Sequence, residues 1–202
     1  MKEMPVLVVM GLLGMGGTAT AAPYNGFYVG PELGVDHDLV KSHYEDPSNS
    51  YDQDGSGSDG INCGVFGGYQ VKTGNGVFSF EANYEGSSSR YHDSAGFSIR
   101  DKWSYGLSGR VGYLIRNALL YGRLGWVRTR FAVADNPVFS VGNDLDGVRL
   151  GAGIETGLTN TLSLRGEYLF THYEDWVVKQ ALASYRFSPD KGQFKVGLAY
   201  HY

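Results

Sequence analysis

The last nine residues of the sequence, 194–202, read Phe-Lys-Val-Gly-Leu-Ala-Tyr-His-Tyr and decide how the whole chain is interpreted. Apolar or aromatic residues alternate in this stretch with small, polar or charged ones. A period of two residues is typical of a β-strand whose two faces meet different surroundings. The residues of the apolar face are Phe194, Val196, Leu198, Tyr200 and Tyr202.

The same alternation recurs in seven earlier segments, at residues 26–35, 61–71, 77–86, 97–114, 119–131, 147–156 and 162–173. The connectors between these segments alternate between long ones, such as 36–60, and short ones, such as 115–117. Bacterial outer-membrane barrels combine short periplasmic turns with longer extracellular loops and have an even number of strands. The sequence therefore predicts an all-β fold: an eight-stranded antiparallel up-and-down transmembrane β-barrel with short periplasmic turns and long extracellular loops.

Residues 1–22 have the features of a secretory leader. Lys2 precedes an apolar stretch, and the small residues Ala19, Thr20, Ala21 and Ala22 match the cleavage pattern of a signal peptide. The apolar stretch is shorter than the ~20 residues that a membrane-spanning helix needs. We expect residues 1–22 to be a signal peptide, cleaved after Ala21 or Ala22, and residues 23–202 to form one barrel domain in the bacterial outer membrane.

The composition restricts the possible partners. A formal net charge of −4 leaves no basic surface for nucleic acid, so no nucleic-acid partner is expected. The one cysteine, Cys63, has no intramolecular disulfide partner, and we expect a buried or lipid-facing thiol. Nothing in the composition requires a cofactor, and none is expected.

The polar face of the predicted strands mixes very small residues with long charged ones. Eight strands enclose only a narrow lumen, and glycine or serine leaves room there for long side chains. Charges enclosed in such a lumen are costly unless they are paired. We therefore predict an interior network that plugs the barrel, formed by Glu32, Glu81, Arg110, Arg149, Glu155, Arg165 and Glu167.

Aromatic residues favour the same orientation. Tyrosine and tryptophan concentrate at the two membrane interfaces. We expect one girdle near the short turns, with Phe27, Tyr113, Tyr121 and Tyr202, and another near the long loops, with Tyr84, Trp103 and Tyr173. The alternative is a soluble ligand-carrying barrel of the lipocalin type, whose apolar face turns inward.

Three segments resemble the small opacity-type, OmpA-like outer-membrane barrels, which are often described as porin-family surface proteins. They are Tyr-Asn-Gly-Phe-Tyr-Val-Gly at 24–30, the glycine-rich segment at 151–168, and the terminal segment at 194–202, where Tyr202 occupies the position that usually carries Phe. The resemblance implies residence in the outer membrane, contact with lipid and lipopolysaccharide, and insertion by the barrel-assembly machinery through the carboxyl-terminal strand. It also implies a role in envelope integrity or in contact with a host or another surface through the loops.

Two loop features suggest ligand chemistry. Residues 52–59 supply the oxygen ligands Asp52, Asp54 and Asp59 among glycines, broadly as calcium loops do, although the bidentate glutamate of an EF-hand is missing. A solvated loop has the same composition, which is the simpler interpretation. The histidines His37, His43 and His92 could ligate haem iron, although unrelated surface histidines are the simpler explanation here as well.

Catalysis is not expected. Small outer-membrane barrels include lipid A deacylases with His and Ser on one strand, and the matching segment here is Thr-His-Tyr-Glu at 171–174. Glu174 stands where the nucleophilic serine would follow His172, and a serine hydrolase needs that hydroxyl beside its base. The sequence thus predicts a structural and surface-display protein, with haem or small-ligand binding at the loops, or a narrow pore, as alternatives.

Overall fold

The computed structural model describes residues 24–46, 49–53, 57–87, 90–92, 98–135, 139–174, 176–180 and 183–202, so the expected signal peptide lies outside the described residues. Among the described residues no helix is long and apolar enough to cross a membrane. The chain forms the β-strands β1 (Gly26–Asp46), β2 (Asn49–Gln53), β3 (Gly57–Thr73), β4 (Gly76–Ser87), β5 (Arg90–His92), β6 (Ser98–Ile115), β7 (Ala118–Asp135), β8 (Phe139–Gly157), β9 (Leu162–Tyr173), β10 (Trp176–Gln180) and β11 (Ala183–His201).

Eight of these strands form a closed antiparallel ring in the order β1, β3, β4, β6, β7, β8, β9 and β11. Strand β11 returns to β1, and their register runs from Tyr28 opposite His201 to Glu45 opposite Ser184. Strands β2, β5 and β10 pair with β1, β6 and β11 at one end of the ring. The prediction of an eight-stranded antiparallel barrel is confirmed.

Short turns connect β3 to β4, β6 to β7, and β8 to β9 at the other end of the ring, where β1 begins and β11 ends. Gly74 and Arg116 have positive φ angles of 60° and 57° in the first two of these turns. Tight two-residue hairpins require left-handed backbone, which glycine adopts without a steric penalty. The opposite end carries the long connections, as the alternation of connector lengths predicted.

The two faces of the barrel have opposite chemistry. The apolar face is on the outside, where Phe27 is 66% exposed and Leu33 is 63% exposed. The polar face is on the inside, where Glu32 and Arg110 are each 2% exposed. An inward apolar face would have made a lipocalin-type carrier, so this orientation excludes that alternative. The free thiol of Cys63 lies on the outer, lipid-facing side.

The strands are longer than the alternating segments. The first segment ends at residue 35, yet β1 continues to Asp46, and the last segment begins at residue 194, yet β11 begins at Ala183. The hydrogen bonds between strands require only a neighbouring backbone. An alternation of apolar and polar side chains arises only where one face of the strand contacts lipid and the other faces the polar interior. The alternating pattern therefore marks only the part of each strand that has lipid on one side.

Strand β6 contains an irregularity that the sequence did not reveal. Its register with β7 shifts between Asp101 and Trp103, so one extra residue is inserted there. Such a bulge reverses which face the following residues occupy. The alternation predicted for residues 97–114 is therefore interrupted at this point of β6.

Two tyrosines of the predicted girdles belong to the interior instead. Tyr121 is 5% exposed and Tyr173 is 1% exposed, whereas Tyr84, Tyr113 and Tyr202 lie on the outer surface. Tyrosine fits either location because it combines an apolar ring with a hydroxyl group that can hydrogen-bond in a polar core. Their odd positions on β7 and β9 match the interior residues of those strands.

Candidate functional site in the barrel interior

The barrel interior contains a balanced set of charges. Among the described side chains, twelve charged ones are buried. Six are acidic and six are basic, so the set has no net charge when His201 is neutral. Its members are Glu32, Asp36, Glu81, Glu85, Glu155, Glu167, Arg110, Arg123, Arg149, Arg165, Lys191 and Lys195.

Glu81 is the central acceptor of this network. Its carboxylate lies 3.0 Å from Arg110, 3.0 Å from Arg123 and 2.6 Å from Arg165. It also accepts a hydrogen bond of 2.9 Å from the Tyr28 hydroxyl. Three guanidinium groups around one carboxylate would repel one another, so further acids are required nearby. Glu155 lies 2.7 Å from Arg110 and Glu167 lies 2.9 Å from Arg123.

Aromatic rings fill the space beside these arginines. The Arg110 guanidinium lies 3.9 Å from the centre of the Tyr121 ring, and the Arg165 guanidinium lies 3.3 Å from that of Phe66. A cation over an aromatic face is stabilised when water is excluded. Gly153 makes room for this arrangement, because a Cβ atom there would lie 2.6 Å from the Tyr121 hydroxyl.

The network continues toward the long-loop end. Glu32 lies 2.9 Å from Arg165 and 3.1 Å from Lys195, and Lys195 also donates to Glu85. Arg149 lies 2.8 Å from Glu85 on the other side. A chain of alternating charges therefore runs through the lumen from Glu81 to Glu85.

A second group of polar side chains surrounds Asp36 at this end. Its carboxylate accepts hydrogen bonds from Gln193 at 2.8 Å, from Ser87 at 2.7 Å and from Asn62, and it lies 3.2 Å from Lys191. Several donors around one carboxylate compensate for the loss of its hydration.

An apolar cluster lies at the short-turn end of the lumen. Tyr24, Val77, Leu119 and Tyr121 are buried together there. The Tyr24 ring meets the ring of His201 edge-on, with 6.0 Å between the ring centres. The polar network thus has an apolar layer beneath it on the side of the chain termini.

All seven residues predicted for the interior network lie in the interior and take part in ion pairs. The predicted network did not include Arg123, Glu85, Asp36 or Lys191. The alternation in β7 was obscured because its inner face also holds apolar residues such as Leu119 and Val127. Leu120, Leu124 and Trp126 have the opposite parity and lie on the outer surface, and their alternation with Arg123 was the signal that could have placed it inside.

A serine, a histidine and a carboxylate meet inside the barrel. The Ser163 hydroxyl lies 2.8 Å from Nε2 of His201 and donates a 2.7 Å hydrogen bond to Glu155. Glu155 lies 3.4 Å from the same Nε2, whereas Nδ1 of His201 faces the Gln70 amide at 3.1 Å. A catalytic triad places the carboxylate at the nitrogen opposite to the serine. This cluster is a hydrogen-bonded part of the core without that geometry.

The candidate histidines are not brought to one point. His43 lies six positions after His37 on β1, which corresponds to roughly 20 Å along a strand, and His92 lies on β5. Two axial ligands of one haem must approach the same iron atom. His37 and His43 therefore cannot serve the same haem.

The calcium candidates are also separated. Asp52 pairs with His43, and Asp59 pairs with His37, so the two aspartates lie roughly 20 Å apart along β1. Asp54 lies outside the described residues. Within the described part of the chain, no three His, Cys, Asp or Glu residues are grouped as metal ligands.

The Thr-His-Tyr-Glu segment lies at the outer rim. Nδ1 of His172 lies 2.7 Å from Asp190, and Glu174 is exposed. The contact is a hydrogen bond between an exposed imidazole on β9 and a partly buried carboxylate on β11.

A closed barrel with an apolar outer surface and a neutral polar interior defines an integral membrane β-barrel. Residues 6–202 match the outer membrane protein beta-barrel domain family, and the chain belongs to this family. It resides in the bacterial outer membrane.

Named relatives and a solved structure fit this assignment. The chain is 29% identical to the 22 kDa outer membrane protein of Rhizobium leguminosarum bv. viciae, over 75% of this chain and 72% of the relative. It is also 29% identical to the 31 kDa outer-membrane immunogenic protein of Brucella melitensis, over 75% of this chain and 74% of the relative. The outer membrane protein OprG from Pseudomonas aeruginosa shares the fold, with a TM-score of 0.61 at 12% identity, over 90% of this chain and 98% of that one.

Proposed function

We propose that the protein is a structural and surface-display barrel whose lumen is plugged. The observation that carries this proposal is the balanced interior, in which six acids and six bases pair across the lumen above an apolar layer. A water-filled pore keeps its charged groups hydrated, whereas the charges here are each at most 3% exposed. Ions crossing the lumen would have to break several buried ion pairs at once.

Planar bilayer recordings test the plug. The refolded barrel is expected to give no discrete conductance steps, because the interior pairs leave no continuous water path. A large general porin added to the same bilayer is the positive control for insertion and detection. Reproducible conductance steps from the purified protein, abolished by an antibody against it, would contradict a plugged lumen and indicate a narrow pore.

The extracellular ends of the strands support a display role. Strands β1, β8 and β11 extend well beyond their lipid-facing segments, and β2 and β10 add backbone pairing there. Paired strands present loops at a distance from the membrane, where contact with a host or another surface takes place. Protease treatment of intact cells is expected to cut within the long connections and to leave the barrel segments intact. Complete protection of intact cells would contradict surface display.

We propose that residues 1–22 are removed on export and that residues 23–202 form the barrel domain. The apolar face of the terminal strand, from Phe194 to Tyr202, would be the signal for the barrel-assembly machinery. Mass measurement of the membrane-extracted protein identifies the mature amino terminus. Removal of residues 194–202 is expected to abolish membrane assembly, because β1 would lose its partner from Tyr28 to Val35.

The proposed role is not enzymatic. Ser163, His201 and Glu155 are each at most 1% exposed and share one imidazole nitrogen, so they offer neither access nor triad geometry. On the outer surface, Glu174 follows His172 where a nucleophile would be needed. Lipid A extracted from cells that express the protein is expected to keep its acyl chains. Loss of an acyl chain from this lipid A would show that the protein has deacylase activity.

A further inference from the structure

The outer surface carries a continuous row of aromatic rings on β4, β6 and β7. The centres of the Tyr84 and Trp103 rings are 6.5 Å apart, and those of Trp103 and Tyr105 are 5.7 Å apart. Trp126 meets Tyr105 edge-on at 5.8 Å. Tyr84, Trp103 and Tyr105 lie in the long-loop halves of their strands, and Trp126 lies midway along β7. Tryptophan and tyrosine favour the boundary between lipid chains and headgroups, so this row marks the headgroup level of the outer leaflet.

Two arginines follow Trp126 on the same face of β7. Arg128 and Arg130 occur at two-residue intervals, so they lie roughly 7 Å and 13 Å beyond Trp126 along the strand. Register places Arg130 beside Trp103 and Arg128 beside Tyr105. The two cations thus lie next to the aromatic row on its extracellular side.

Arg128 is fully engaged by its neighbours. Its guanidinium makes two hydrogen bonds to Asp146, of 2.7 Å and 2.6 Å, and lies 5.5 Å from the centre of the Trp126 ring. Arg128 is therefore anchored within the protein.

Arg130 is held much more loosely. Its ion pair with Asp144 has a single contact of 3.9 Å, and the Arg130 side chain is 47% exposed. An exposed ion pair at that distance contributes little stability. The guanidinium of Arg130 is consequently available to a better acceptor at the headgroup level.

We propose that Arg130 binds a phosphate group of an outer-leaflet glycolipid. A phosphate presents several oxygens to a guanidinium and forms stronger, bidentate hydrogen bonds than a carboxylate 3.9 Å away. Asp144 competes for the same guanidinium, and Trp103 and Tyr105 anchor the adjoining part of the barrel at the interface. This site rests on the proposed surface role, because it requires the long-loop end to face the outer leaflet.

Native mass spectrometry of the refolded full chain in detergent micelles tests the site. The probe is lipid A with two phosphate groups, compared with the same lipid after enzymatic removal of both phosphates. The wild-type protein is expected to retain the phosphorylated form preferentially. The substitution Arg130→Gln should weaken that retention about five-fold, which is the size of one exposed charge interaction.

The substitution Asp144→Asn supplies an effect of the opposite sign. Removing the competing carboxylate should increase retention of the phosphorylated lipid about two-fold or more. The matched control is Lys72→Gln, an exposed cation beside a short turn at the other end of the barrel, which should leave retention unchanged. A purely structural role for Arg130 would not give opposite changes for Arg130→Gln and Asp144→Asn.

Three outcomes would overturn the site. They are equal retention of both lipids by the wild type, unchanged retention after Arg130→Gln, and an equal loss after Lys72→Gln, which would indicate general charge attraction. The heat-dependent shift in gel mobility reports barrel folding independently of lipid retention. Protease treatment of intact cells reports the surface role. Failure of the lipid site can therefore be distinguished from failure of the proposed function, because the two are measured separately.

Discussion

The Arg165 guanidinium lies 2.6 Å from the Glu81 carboxylate in the middle of the barrel interior. Arg165 belongs to β9 and Glu81 to β4, and these strands are four places apart in the ring of eight. The ion pair therefore joins opposite walls of the barrel. Glu81 also pairs with Arg110 of β6 and Arg123 of β7, so one carboxylate connects four of the eight barrel strands.

The substitution Glu81→Gln should destabilise the barrel strongly. It leaves three buried arginines with one negative charge fewer between them, and breaking a buried pair costs about 3–5 kcal/mol of the free energy of unfolding. Urea titration in micelles, followed by gel mobility without boiling, measures the change. The exposed Glu174→Gln is the control and should stay within ~0.5 kcal/mol of the wild type. Equal urea midpoints for Glu81→Gln and the control would contradict the central role of Glu81.

The substitution Gly30→Ala should prevent closure between β1 and β11. A Cβ atom at residue 30 would lie 1.7 Å from the Leu198 carbonyl oxygen and 2.8 Å from the Phe66 ring. At Gly122, on the outer surface, an added Cβ would have nothing within 4 Å. We expect Gly122→Ala to fold like the wild type and Gly30→Ala to lose most of its heat-modifiable band. Equal folded fractions for the two variants would refute the close contact at Gly30.

The outer position of Cys63 predicts selective thiol chemistry. Its outward neighbours Ile61 and Val65 are exposed apolar residues, so the thiol should lie among lipid chains. In sealed vesicles a membrane-soluble maleimide should label Cys63, whereas a charged, water-soluble maleimide should not. Unfolding in urea should expose Cys63 to both reagents, so that each of them labels it. A Cys63→Ser, Lys72→Cys variant provides the comparison and should react with the charged reagent once detergent opens the vesicles.

The closure of the ring predicts a specific cross-link. Leu33 lies opposite Val196 in the register of β1 and β11, and directly opposed antiparallel residues have Cα atoms ~4.5–5.5 Å apart. In a Cys63→Ser background, the pair Leu33→Cys and Val196→Cys should form a disulfide on mild oxidation. The pair Leu33→Cys and Tyr200→Cys is four residues out of register and should stay reduced. Efficient oxidation of that second pair instead would show a shifted register.

Most of the architecture could be predicted from local pattern. Alternation at residues 147–156 placed Arg149 and Glu155 on one face and Val148 and Leu150 on the other, and the structure has them so. The pattern failed where lipid contact ends, as in β1 beyond residue 35, and where a bulge interrupts β6 at Asp101. It also failed for Tyr121, because a tyrosine fits both an interface and a polar interior.

The terminal stretch at 194–202 and its seven counterparts determined the strand number, the alternating connectors and which residues share a face. These are local properties, since parity and turn length depend on neighbours in sequence. Only the tertiary structure decided the pairing of charges. Glu81 and Arg165 are 84 residues apart in sequence, and their contact depends on strand order, register and ring closure together.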